Sequence, residues 1–96
     1  KSFTRYTLDL SAVPAIQKET YLPVMTDPSH GTGRRDLIYP MSCASIAAGA
    51  CGLMIEVHYN PAEALVDGQQ MITPDELKET IDACNRIHKV LGPRRN

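Results

Sequence analysis

The chain has 96 residues, a formal net charge of −1 and 43% hydrophobic residues, a length that suits one domain and a composition that argues against disorder and against a polyanion partner. It holds no run of roughly 18 apolar residues that could span a membrane, and its first residues, KSFTRYT, lack the apolar core of a signal peptide. A soluble, cytoplasmic protein with no nucleic-acid and no membrane partner is therefore expected. Cys43, Cys51 and Cys84 show no CxxC spacing, so buried free thiols are expected rather than disulfides or a thiolate zinc site. The sequence opens at Lys1 in polar, loop-like residues, which reads as a piece of something longer.

In chain order, Ser11 is placed to N-cap a short helix to about Glu19, with Pro14 in its first turn. Leu22 to Thr26 follows as a strand whose apolar run lacks alternation, as expected when both faces are covered. A glycine-bearing turn, His30-Gly31-Thr32-Gly33, leads to a helix from about Asp36 to Ala48 that Gly49 stops. The small residues Ala44, Ala47 and Ala48 would let that helix approach a sheet. Leu53 to Val57 is the second strand. Thr73-Pro74-Asp75-Glu76 then forms a capping box, and Leu77, Ile81, Cys84, Ile87 and Leu91 recur at helical spacing until Gly92-Pro93. The alternation of helix and strand with short connections predicts an α/β fold with a parallel sheet and right-handed crossovers. Two strands leave sheet edges and helix faces without partners, so the fold is expected to need more strands than these residues supply.

Metal-ligand chemistry sits at both strand ends. Active sites of parallel α/β folds collect there, and His30 after the first strand and Glu56 near the end of the second could share a divalent ion. Asp67, eleven residues past Glu56, could fold back as a third ligand. Mixed nitrogen and oxygen ligation suits Mn, Fe, Co or Zn better than calcium. Each residue also has a plainer reading: His30 could cap a turn and Asp67 is an ordinary turn residue. Glu56, flanked by Ile55 and Val57, is the sharpest of the three, since a carboxylate there is costly to bury unless paired or coordinated. His30-Gly31-Thr32-Gly33-Arg34-Arg35 before a helix offers a phosphate pocket, or else a flexible loop with solvated arginines. Arg5, in Thr4-Arg5-Tyr6-Thr7, is a further cation that could approach this rim, and His58 is read as a structural hydrogen-bonding residue.

The strings LDLSAVP, DPSHGTGRRDLIYPM, AAGACGLMIEVH and ALVDGQQMITPDEL resemble the C-terminal part of 3-deoxy-7-phosphoheptulonate (DAHP) synthase in its type I form, related to the 8-phosphooctulonate synthases. The resemblance runs from about Phe3 to about Leu91 and implies the last strands and helices of a single (β/α)8 TIM barrel domain that residues 1–96 leave incomplete. It implies condensation of phosphoenolpyruvate with erythrose 4-phosphate to DAHP and phosphate, the first step of the shikimate pathway and of aromatic amino acid biosynthesis. In the family a cysteine, a histidine, a glutamate and an aspartate bind the divalent metal. By motif match the last three are His30, Glu56 and Asp67, the metal and catalytic set, and the cysteine belongs to an earlier motif absent here. Arg34, Arg35 and Thr32 are the implied substrate-binding residues. The resemblance also implies a homo-oligomer when complete and an inactive isolated fragment. Departures are confined to Val66 and Gln69 beside Asp67, Tyr6 where an asparagine is usual, and Cys51 where an aspartate or asparagine is usual. The 8-phosphooctulonate synthases and a small non-catalytic α/β metal-binding module are the competing readings.

Overall fold

A computed structural model describes residues 8–20, 23–64 and 68–92. The first helix, α1 (Ala12–Glu19), begins where expected, but Ser11 does not cap it with its hydroxyl. Ser11 instead donates through both its backbone N–H and its Oγ to Asp9 Oδ1, at 3.1 and 2.6 Å, so Asp9 holds the entry turn. Val13 and Gln17, one turn apart, form the buried stripe of α1.

Strand β1 (Met25–Thr26) pairs in parallel with β2 (Gly52–Leu53), in the register Met25 to Gly52 and Thr26 to Leu53. Both are shorter than the sequence suggests, and Leu22 lies outside the described residues. A strand extends only as far as a neighbour supplies its ladder, and beyond Leu53 the described pairing resumes only as a parallel bridge between Val57 and Ile72. That bridge adds a third extended segment which the hydrophobic pattern did not suggest.

Between the strands, the expected glycine turn is a five-residue helix, α2 (Pro28–Thr32). Asp27 caps it, Pro28 takes a first-turn position where its missing N–H does no harm, and Gly33 ends it at φ 67°. A 3-10 turn (Arg35–Leu37) leads into α3 (Ile38–Ala48), closed by Gly49 at φ 106°. The buried line of α3 is Ile38, Ser42 and Ser45, not the alanines; Ala47 is exposed. Serine is as small as the approach requires, and Ser45 is satisfied on both sides: its Oγ donates to Met41 O at 2.7 Å and accepts from Thr26 Oγ1 at 2.9 Å.

After β2, two short 3-10 turns (Pro61–Glu63 and Gly68–Gln70) fold the connection to α4 (Pro74–Leu91). The capping box is present, with Glu76 N–H on Thr73 Oγ1 at 3.2 Å and Thr73 N–H on Glu76 Oε1 at 2.9 Å. Helix α4 packs along α3, burying Thr80, Ala83 and Cys84 while Ile81 and Leu91 of the expected stripe stay exposed. Of the three free thiols only Cys84 is buried; Cys43 is half-buried and Cys51 exposed. Burial, reinforced by nearby Cys43, pushes the Cys84 thiol up to about 11, so it stays protonated near neutral pH.

Candidate metal and active site

The loops that follow β1 and β2 bring His30 and Glu56 together. Asp27, one residue past β1, accepts the backbone N–H of His30 on Oδ1 at 3.0 Å and lies 2.6 Å from His30 Nδ1 with Oδ2. One carboxylate thus starts α2 and fixes the imidazole plane. A ring proton on Nδ1 would be donated to Asp27, and Nε2, turned toward the Glu56 carboxylate, would then need a cation or a second proton between these two acceptors. Nε2 lies 2.8 Å from Glu56 Oε1.

Glu56 is held from three sides. Its backbone N–H donates to Oγ of the fully buried Ser29 at 2.8 Å, its carbonyl accepts from Ile72 N–H at 3.1 Å, and its Oε1 accepts from Gln70 Nε2 at 2.6 Å. The His30 and Glu56 side chains are 53% and 26% exposed, a rim position open to solvent on the imidazole side. Two donors each about 2.1 Å from a common cation at a right angle lie about 3.0 Å apart, so this pair need open only slightly to accept a divalent ion. An imidazole nitrogen and a carboxylate oxygen are also the donor types such ions take. Among the described residues no group of three or more His, Cys, Asp or Glu side chains is arranged to hold a metal. Asp67, the third expected ligand, lies outside the described residues, as do Arg5 and Tyr6.

The segment after His30 is a built turn. Thr32 is buried, and its hydroxyl donates to Pro28 O at 2.7 Å and accepts Arg34 N–H at 3.3 Å. The N–H groups of Gly31 and Gly33 end on Asp27 O and Ser29 O, at 2.7 and 3.0 Å. Arg34 forks onto Asp36, Nε to Oδ1 at 2.9 Å and a terminal nitrogen to Oδ2 at 2.5 Å. That hydrogen-bonded pairing holds the Asp36 carboxyl below its usual range and raises the guanidinium. Arg34 and Arg35 are both exposed. His58 has the structural role expected of it, accepting Asn60 N–H on Nδ1 at 2.9 Å and stacking on Tyr59.

The sequence singles out His30 and Glu56, which the structure brings to 2.8 Å of each other, but gives no prominence to Asp27, Ser29, Gln70 or Asp36. Asp27 is within its reach: an aspartate followed by proline and, three residues on, by the histidine is an N-cap spacing.

The profile of the DAHP synthetase I family matches residues 1–91. The chain is 48% identical over 93 residues to phospho-2-dehydro-3-deoxyheptonate aldolase of Thermotoga maritima, covering 97% of this chain and 28% of that one. It is 32% identical over 98 residues to 2-dehydro-3-deoxyphosphooctonate aldolase of Desulfosudis oleivorans, covering 91% of this chain and 35% of that relative. The crystal structure of the Thermotoga maritima aldolase (DAHP synthase) superposes with a TM-score of 0.92 at 47% identity, over all of this chain and 28% of its own. The chain therefore spans about a third or less of these relatives, and its helices and parallel strands are the matching portion of a (β/α)8 barrel.

Proposed function

The chain belongs to the DAHP synthetase I family, and from that premise we propose that residues 1–96 are the C-terminal part of a single barrel domain of a 3-deoxy-7-phosphoheptulonate synthase. The complete protein condenses phosphoenolpyruvate with erythrose 4-phosphate to give DAHP and phosphate, the entry to the shikimate pathway and aromatic amino acid biosynthesis. It is a cytoplasmic homo-oligomer acting on small molecules, not on nucleic acid or a membrane. No helix among the described residues is long and apolar enough to cross a membrane. The higher identity to the heptonate enzyme than to the octonate enzyme, 48% against 32%, supports this branch.

The observation that carries the proposal is the convergence of His30 Nε2 and Glu56 Oε1 at 2.8 Å. These two side chains, with Asp67, would hold a divalent Mn, Fe, Co or Zn ion. Once bound, that ion supplies Lewis acidity that polarises the aldehyde carbonyl of the acceptor sugar. Asp27 keeps the His30 ring oriented and its Nδ1 proton engaged, leaving Nε2 as a donor. Glu56 contributes negative charge from a half-buried position, where it counts for more than in open water. Arg34 and Arg35 lie one turn beyond and would meet a phosphate of the substrate, Arg35 directly and Arg34 in balance with Asp36. Thr32 serves the same end by tying Pro28 to Arg34 and so setting the turn from which both guanidinium groups project.

The test is consumption of phosphoenolpyruvate by the complete protein with erythrose 4-phosphate, with and without a chelator. Loss of turnover on chelation and its return with Mn²⁺ are expected. Glu56→Ala should lower turnover by roughly two orders of magnitude or more while the protein stays folded. Turnover indifferent to the chelator would refute the proposal, and unchanged turnover in Glu56→Ala would remove that residue from the site.

A further inference from the structure

We propose that Gln70 is a positioning residue for Glu56, fixing its carboxylate in the orientation that receives a divalent cation beside His30. The inference rests on the reading of Glu56 as a cation ligand and adds a residue from outside the ligand set. Gln70 is 3% exposed, and its Nε2 lies 2.6 Å from Glu56 Oε1 across fourteen residues of sequence. An ionised carboxylate only accepts hydrogen bonds, so the amide must turn its N–H toward this oxygen.

The backbone around this contact is constrained as well. Ile72 N–H donates to Glu56 O at 3.1 Å and His58 N–H to Ile72 O at 2.9 Å, so the stretch that carries Gln70 is stitched alongside the end of the second strand segment. Gly68 makes the fold-back feasible, because a Cβ there would collide with the carbonyl oxygen of Pro61. Gln70 thus stands on a supported backbone, and its buried side chain reaches one acceptor.

Three properties suit it to the role. The amide is neutral, whereas an ammonium or guanidinium in its place would offset the charge of Glu56 and compete with the cation. It occupies a lone pair on Oε1 and leaves acceptor capacity elsewhere on the carboxylate. It also holds the oxygen that faces His30 Nε2 at 2.8 Å, so it sets the spacing between the two donors. A glutamate released from this contact would regain its rotamer freedom and turn to solvent, and ordering it again would weaken binding.

The experiment titrates Co²⁺ into the complete protein as wild type, Gln70→Met, Gln70→Asn and Glu56→Ala, following the visible absorption of the ion, with far-UV circular dichroism as the check of folding. Gln70→Met keeps the length without the N–H, and Gln70→Asn keeps the amide but withdraws it by one methylene. Each is expected to bind Co²⁺ ten- to a hundredfold more weakly with a shifted visible band and an unchanged dichroism spectrum. Wild-type affinity and band in either folded variant, alongside weakened binding by Glu56→Ala, would overturn the role of Gln70. Undiminished binding by Glu56→Ala would instead overturn the ligand assignment beneath it.

Discussion

Asp27 works in two places at once: one carboxylate oxygen caps α2 and the other orients the His30 ring. A substitution can separate the two tasks. Asparagine is as good an N-cap as aspartate, so Asp27→Asn should keep the helix start and cost little stability. Its amide N–H, however, would face Nδ1, drive the ring proton onto Nε2 and block the lone pair turned toward Glu56. The expected outcome is a melting temperature within a few degrees of wild type and a ten- to a hundredfold loss of Co²⁺ affinity, read by thermal melting and metal titration of the complete protein. Equal affinities would show that Asp27 serves only the helix. His30 and Glu56 could be read from the sequence because ligand-type side chains at strand ends are locally unusual. Ser29 and Gln70 could not, since a serine and a glutamine gain meaning only from partners 27 and 14 residues away.

At the scale of elements, local signals were the legible ones. Helix α4 announces itself through the Thr73–Glu76 box and its periodicity, both contained in its own residues. Helix α2 reads as a turn in the sequence because Gly31 weakens any helical pattern there. The cap at Asp27 and the proline at Pro28 nonetheless nucleate one turn of helix, which is enough to aim His30. The strands are shorter than their apolar runs because strand limits depend on the neighbours that supply the ladder, not on hydrophobicity. The joint between α1 and α3 makes a sharper test. Gly49 ends α3 at φ 106°, its carbonyl accepts from Gln17 Nε2 at 2.6 Å, and an added Cβ would meet Gln17 Oε1 at 2.9 Å. Gly49→Ala therefore combines backbone strain with displacement of a buried amide, and should destabilise the complete protein by about 1–3 kcal/mol. Denaturant unfolding would measure this, and a change below about 0.5 kcal/mol would remove Gly49 as a constraint.

At the scale of the molecule, large apolar side chains among the described residues face solvent, Val90 at 84% and Ile81 at 47%. Apolar clefts flank the two-stranded sheet on either side, one lined by Val13, Ile16 and Met25, the other by Ile46, Leu53 and Ile81. Met25 and Met54 are 61% and 56% exposed. A barrel wall continued in both directions would cover these flanks. The isolated 96-residue chain is accordingly expected to melt without a sharp transition and to bind a hydrophobic dye that the complete protein excludes. A single cooperative calorimetric peak from monomeric material would contradict this.

The contacts that hold His30 and Glu56 are made by Asp27, Ser29, Gln70 and Ile72 of the chain itself, and the donor atoms they present have a bearing on how such a site would be furnished in a cell. An imidazole nitrogen beside a carboxylate oxygen is a donor pair that several first-row divalent ions accept, so the pair itself would do little to choose among them. Which metal resides there would then follow from cellular supply and relative affinity more than from the shape of the protein.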